Sequence, residues 1–317
     1  MNFRTYEDLT KCLVENLYKI PRDVDLIVGI PRSGTMVANI LALYLNLPFT
    51  DFDNFINKGT LKTGTTRKCQ KWIRSIDEAK HVLIVDDSIS SGKAIREAKK
   101  MMGEKRTSLN VTFLAVYALT ISKKMVDIFL EICEQPRMFE WNYMHHWALE
   151  YCCMDIDGVI CEDPKWLQND DGKKYIDFLE NASPKFVPTQ KVGRLVSTRL
   201  EKYRPQTELW LKKNGIEYGE LILLDGVTAK ERALLGNHAD YKAKIYKECD
   251  GILFFESNYD QAVNICMLSG KPVFCIENRT LITSENVVQK LRVYNKEFNV
   301  TMKRIIKKLA KKINYIK

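Results

Sequence analysis

His81-Val-Leu-Ile-Val-Asp-Asp-Ser-Ile-Ser-Ser-Gly-Lys93 decides how the first half of this 317-residue chain folds. Four consecutive apolar residues follow His81. Two aspartates come next, then a turn of serines closed by glycine. A short continuous apolar run of this kind reads as a strand covered on both faces, which is the pattern of a parallel sheet. Working outward, residues 92–102 have helical spacing. Asp25-Leu-Ile-Val-Gly29 is a second buried strand and 34–45 returns to the helical period. Residues 111–119 give a third strand, and 6–18 an amphipathic helix. Strands alternating with helices predict an α/β fold with helices on both faces of a parallel sheet.

Cys152-Cys-Met-Asp-Ile-Asp-Gly-Val-Ile160 restarts the pattern. Strands are predicted at 151–154, 194–197, 221–224, 251–255 and 272–276, with helices between them, such as 206–214 and 259–268. The length suits two domains. These are expected at 1–135 and 150–290, separated by a junction at 136–149 and followed by a basic amphipathic helix at 291–317. The 45% apolar content supports two full cores. The polar stretch 53–75 is too long for an ordinary connection and reads as a lid. No apolar run reaches the ~20 residues of a membrane-spanning helix, and the start lacks the layout of a signal peptide. Nine scattered cysteines with no Cys-x-x-Cys pair indicate reduced, packed thiols in a cytoplasm.

The net charge of +9 is partly local. Lys303, Arg304, Lys307, Lys308, Lys311, Lys312 and Lys317 crowd the tail without an acid. Nucleic acid, an anionic membrane, a phosphorylated substrate, or a solvated helix with no partner would each account for such an excess. Apolar residues at helical spacing through this tail fit a helix lying on an anionic membrane, or one packed on the second domain.

The chemistry of the first motif follows from its residue types. Asp86 and Asp87 at a strand tip accept hydrogen bonds from the vicinal hydroxyls of a ribose. The turn Ser88-Ile-Ser90-Ser91-Gly92-Lys93 offers hydroxyls and a helix N-terminus to a phosphate. The segment resembles the 5-phosphoribosyl-1-pyrophosphate (PRPP) motif of type I phosphoribosyltransferases. The resemblance covers about residues 1–135 and implies a parallel sheet with a flexible hood loop. It implies PRPP as donor, Mg2+ with it, and pyrophosphate held by Arg32, Ser33 and Gly34 of Gly29-Ile-Pro-Arg-Ser-Gly34. Lys58, Lys62, Arg67 and Lys68 of the lid stretch are candidates to neutralise the leaving pyrophosphate. The chain departs from the family at Ala94, where a hydroxyl is usual, and at Ser90, where purine-salvage members carry an aspartate. Both departures weigh against a nucleobase acceptor.

Asp155-Ile-Asp157-Gly158, directly after a buried strand, resembles the first motif of the haloacid dehalogenase (HAD) superfamily. The resemblance implies a Rossmann-like phosphatase domain. Asp155 is its nucleophile and Asp157 the proton-transfer acid and base. Ser197 is the phosphate-binding hydroxyl and Lys242 the stabilising lysine, with Lys244 as second choice. Mg2+ is implied on Asp155, Asp157, Glu256 and Asp260. Only about 35 residues separate the first two motifs, which leaves room for a minimal cap and suits a phosphate on a bulky molecule.

A phosphoribosyltransferase followed by a HAD phosphatase is similar to the bacterial ribofuranosyltransferases of polysaccharide assembly. That resemblance implies a lipid-linked glycan acceptor, a cytoplasmic enzyme at the inner face of the membrane, and no nucleic-acid partner. A homodimer is left open. The aromatic group Phe139, Trp141, Tyr143 and Trp147, with His145 and His146, is read either as acceptor-binding or as packing between domains. Nucleotide salvage and a regulatory PRPP sensor stand as alternative functions.

Overall fold

The computed structural model describes residues 1–64, 66, 72–105, 109–169, 171–225 and 238–286. The chain divides into two compact units, 2–141 and 142–317. Every cysteine among the described residues is a free thiol. Among them, no helix is long and apolar enough to cross a membrane. The basic helix expected at 291–317 lies outside the described residues, as do Arg67 and Lys68.

The first unit contains strands β1 (Asn2–Arg4), β2 (Leu26–Gly29), β3 (Phe49–Asp51), β4 (His81–Ile89), β5 (Asn110–Ala118), β6 (Ile128–Ile132) and β7 (Arg137–Phe139). Its helices are α1 (Tyr6–Glu15), α2 (Ser33–Leu45), α3 (Phe52–Ile56) and α4 (Lys93–Lys105). Five strands form one parallel sheet in the order β3-β2-β4-β5-β6. The decisive apolar run splits between two cores. Val82 and Ile84 face a layer with Phe52, Phe55 and Ile95. Leu83 and Val85 face the opposite layer, with Leu9, Val37 and Leu41. Both faces of β4 are therefore covered, and so every residue of the run is apolar.

Local chemistry sets the helix ends. Thr5 and Asp8 form a reciprocal cap at the start of α1. Asn46 ends α2 in the left-handed region, at φ 52°. The lid stretch expected at 53–75 is partly helical instead. Asp51 caps α3 through the backbone N–H of Asn54 at 2.8 Å. Phe52, Phe55 and Ile56 then turn one apolar face into the core. Neither the junction expected at 136–149 nor its aromatic start is a simple linker. Arg137–Phe139 pair with Asn2–Arg4 as a parallel β1–β7 ladder within the first unit.

The second unit holds β8 (Cys152–Met154), β9 (Val192–Leu200), β10 (Tyr218–Leu224), β11 (Leu253–Glu256), β12 (Val273–Cys275) and β13 (Thr280–Ile282). Its described helices are α5 (Lys173–Asn181), α6 (Arg204–Lys213), α7 (His238–Glu248) and α8 (Tyr259–Ser269). The sheet order is β10-β9-β8-β11-β12-β13, parallel except at β13. Cys153, Val196 and Phe254 pack against Ala243 and Tyr246 of α7 and Ile265 of α8.

Each sheet has a switch point. In the first, the chain leaves β2 for β3 on one side and crosses to β4 on the other. In the second, β8 leads to β9 and β10 on one side and β11 lies on the other. Loops diverge at such a point and open a crevice beyond the strands' carboxyl ends. β2 ends at Gly29, opposite Val85, while β4 continues through Asp86 and Asp87. The two aspartates thus stand past the end of β2, on a stretch of β4 that stays paired with β5.

Gly34, at the start of α2, allows that helix to meet β4. A Cβ there would lie 2.6 Å from the Val85 carbonyl oxygen and 3.0 Å from Asp86 Cα. Gly34→Ala is expected to destabilise the first unit by about 1–3 kcal/mol, as overpacking does. Urea unfolding followed by a probe in that unit checks this.

Candidate functional site

The first site is built from three segments of one unit. β4 supplies Asp86 and Asp87, which are 8% and 5% exposed. Asp87 Oδ1 accepts from Ser33 Oγ at 2.7 Å, and Oδ2 from Trp141 Nε1 at 2.7 Å. Asp86 Oδ1 accepts the backbone N–H of Asp87 at 2.9 Å. Burial, and next the neighbouring Asp87, push Asp86 up to about 8. The hydrogen-bond donors on Asp87 are neutral, and the buried Arg137 guanidinium acts on it through charge while bonding the Cys133 and Ile89 carbonyls. The acid pair fits a divalent cation arriving with a phosphorylated ligand.

The serine turn follows. Ser88 is half-buried, while Ser90, Ser91 and Lys93 are exposed. Gly92 adopts φ +73°, which favours glycine, and its carbonyl accepts the N–H of Arg96 in α4 at 2.9 Å. Arg32 is exposed, and the Pro31–Arg32 peptide is cis. Ser33, expected on pyrophosphate, gives its hydroxyl to Asp87. Lys58 pairs with Asp77 at 3.1 Å, and Lys62 forms a backbone bridge with Phe49.

The second site centres on Lys242. From α7, its Nζ donates to Asp155 Oδ2 at 2.6 Å and Glu256 Oε2 at 2.7 Å. Asp155 follows β8 and Glu256 ends β11, so the switch point brings both acids to one lysine. All three side chains are at most 7% exposed. Burial opposes charge on Lys242, but Asp155 and Glu256 outweigh it and raise its pKa. Asp157 is held by Arg199, whose Nη2 and Nε donate to its two oxygens at 2.6 and 3.0 Å. This is a bidentate pair, with the Arg199 side chain fully buried.

A cavity of about 390 Å³ opens here, lined among others by Asp155, Asp157, Lys242, Arg199 and Thr198. Asp163, Tyr175 and His238 also line it. Ser197 is 1% exposed, and its hydroxyl accepts the N–H of Arg199 at 3.2 Å. Its neighbours Thr198 and Arg199 are the residues of β9 that line the cavity. Asp260, expected on a metal, is exposed at the start of α8, where Asn258 and Gln261 line the cavity instead. Among the described residues, no group of three or more His, Cys, Asp or Glu is arranged to hold a metal ion. Glu256 bonds Lys242 and Asp157 bonds Arg199, while Asp155 and Asp157 both line the cavity.

Sequence reasoning missed Trp141 on Asp87, Arg199 on Asp157, and Asp163 in the cavity. Arg199 was within reach, standing two residues beyond Ser197 in the same motif. Trp141 belonged to an aromatic group whose neighbours could not be read from spacing.

Comparison with known proteins bears on the first unit. Residues 4–144 match the family model of the phosphoribosyl transferase domain. This part of the chain carries a phosphoribosyltransferase domain. The chain is 27% identical over 126 residues to the transcriptional regulator GfcR of Methanococcoides burtonii. That match covers 39% of this chain and 58% of the regulator's length. Among solved structures, it is similar to a xanthine-guanine-hypoxanthine phosphoribosyltransferase of Helicobacter pylori. That similarity is at 20% identity and a TM-score of 0.33, covering 44% of this chain and 90% of the other. A purine phosphoribosyltransferase of Pyrococcus horikoshii is similar at 18% identity and a TM-score of 0.32, covering 44% and 92%.

Two outcomes test this geometry. A buried acid whose folded pKa is raised binds its proton more tightly in the folded state. Its contribution is therefore full below the unfolded value near 4 and lost as pH rises toward about 8. Asp86→Asn removes that loss, so its melting temperature relative to the parent is expected to climb between pH 4 and 8. Scanning calorimetry of the ligand-free chains checks it. Lys242→Met leaves Asp155 and Glu256 buried without their cation and is expected to cost about 3–5 kcal/mol. Adding Glu256→Gln should recover part of that loss in urea unfolding.

Proposed function

We propose that the chain transfers ribose 5-phosphate from PRPP to a sugar hydroxyl of a glycan and then removes the 5-phosphate. The observation that carries this reading is the presence of two different acid sites in one polypeptide. One is a pair of neighbouring acids beside a serine turn. The other is a nucleophile-type acid, Asp155, bridged to a buried lysine. The first suits holding a ribose phosphate and the second suits cutting a phosphate off.

In the transfer step, Asp86 and Asp87 hold the ribose diol while the serine turn holds the 5-phosphate. The C1–O bond to pyrophosphate breaks as the acceptor oxygen closes on C1. Mg2+, held at Asp86 with the substrate, would screen the pyrophosphate charge. The protein's part is positioning and charge stabilisation. In the second step, Asp155 attacks phosphorus with Lys242 stabilising the added charge. Asp157, oriented by Arg199, handles the proton of the leaving hydroxyl and then of the attacking water. Ser90 and Ala94 in the turn support an acceptor other than a purine. A lipid-linked acceptor, and contact of the basic tail with the inner face of a membrane, belong to the same reading.

A second reading is a PRPP-binding regulator, favoured by the similarity to a transcriptional regulator. Binding of PRPP without turnover of glycoside or nucleobase acceptors would decide for it. On the first reading, Asp155→Asn is expected to leave transfer intact and accumulate a product heavier by one phosphate in mass spectrometry. If that variant yields the dephosphorylated product, Asp155 is not the nucleophile. Base-only turnover would move the reading to nucleotide salvage.

A further inference from the structure

Asp87 is tied at both ends by donors from separate parts of the first unit. Ser33 reaches Oδ1 from the loop after β2, and Trp141 reaches Oδ2 from beyond β7. A carboxylate has about four acceptor positions on its two oxygens. Two are used by this clamp, which leaves one on each oxygen, the number a vicinal diol requires.

Trp141 is itself held rigidly. Its ring stacks on Phe139 at 4.8 Å with an interplanar angle of 5°. Tyr117 lies 6.4 Å away at 21°, and Tyr6 packs at 5.6 Å, tilted by 54°. The backbone on its N-terminal side is fixed as well: Glu140 N–H donates to the Arg4 carbonyl at 2.9 Å, and Glu140 Oε2 accepts from Tyr6 N–H at 2.8 Å. A stacked indole has little freedom to rotate its N–H away. The acid it holds is 5% exposed, so little water is available to replace the bond.

We propose that Trp141 is a positioning residue of the phosphoribosyl site, which together with Ser33 fixes the Asp87 carboxylate for the two ribose hydroxyls. The proposal rests on the first site binding PRPP and holds for either the transferase or the regulator. The β1–β7 ladder then serves the site by carrying the aromatic stack to the acid. Trp141 is not assigned to the acceptor; its effect is exerted through Asp87.

The test uses the full chain and Mg2+-PRPP titrated calorimetrically. Trp141→Phe keeps a stacking ring and removes the donor. It is expected to weaken PRPP binding about 5- to 20-fold, within the range for a bond to a charged group. Ser33→Ala should act in the same direction. Because both donors serve one carboxylate, the loss in the double variant should fall short of the product of the single losses. Affinity within about twofold of the parent in Trp141→Phe, or losses that simply multiply, overturn the clamp. Nuclear magnetic resonance of the indole N–H groups tests it without the Trp141 variant being folded. In Asp87→Asn, one indole resonance should shift upfield while the other described tryptophans hold; if none moves, the clamp is wrong. If the parent itself does not bind PRPP, the reading of the first site falls, and the resonance experiment still decides the clamp.

Discussion

Carboxylates brought together near the carboxyl end of a buried strand repel one another and lose their hydration, and the structure depends on how each unit relieves this. In the first unit, Asp86 and Asp87 are adjacent, and burial with mutual repulsion drives Asp86 up to about 8. The donors on Asp87 are neutral, and the buried Arg137 guanidinium offsets part of the like charge from a distance. In the second unit, relief is internal. Lys242 sits between Asp155 and Glu256, and Arg199 takes both oxygens of Asp157. A buried acid pair whose direct partners are neutral suits binding a cation-carrying substrate. An acid already compensated by a lysine suits nucleophilic attack on a phosphate.

The topology explains why both arrangements occur. In each sheet the acids stand where successive connections diverge to opposite sides. There a strand's carboxyl end can outrun one neighbour, as β4 outruns β2 while staying paired with β5. In the first sheet the crevice needs β4 to outrun β2, and Gly34 lets α2 approach that strand closely. In the second, α7 must lay Lys242 across the gap between β8 and β11. The same architecture thus yields a pair of adjacent acids in one case and a charge-compensated acid cluster in the other.

Much of this is legible in the sequence because parallel strands covered on both faces have no polar positions to disguise them. Val82–Val85 and Cys152–Met154 read as strands for that reason. The acids at their tips are equally plain, because two carboxylates after an apolar run have few structural uses. Contacts across long separations are not legible. Trp141 and Asp87 are 54 residues apart, and only the β1–β7 ladder, itself three residues per strand, carries one to the other. The hydroxyl of Ser33 reads as a phosphate donor because spacing does not show that Asp87 claims it. The place of Asp260 is not legible either: it stands exposed at the start of α8, beside Asn258 and Gln261 of the cavity. Residues 53–56 read as loop because the polar residues after them mask one buried helical turn.

The central claim is that one chain both transfers a phosphoribosyl group and removes its phosphate. The most direct measurement is the ratio of pyrophosphate to orthophosphate released when the chain is given PRPP, Mg2+ and a panel of glycoside acceptors. The account predicts equal amounts of the two, both dependent on the acceptor. Pyrophosphate without orthophosphate, or neither in the presence of any acceptor, would contradict it.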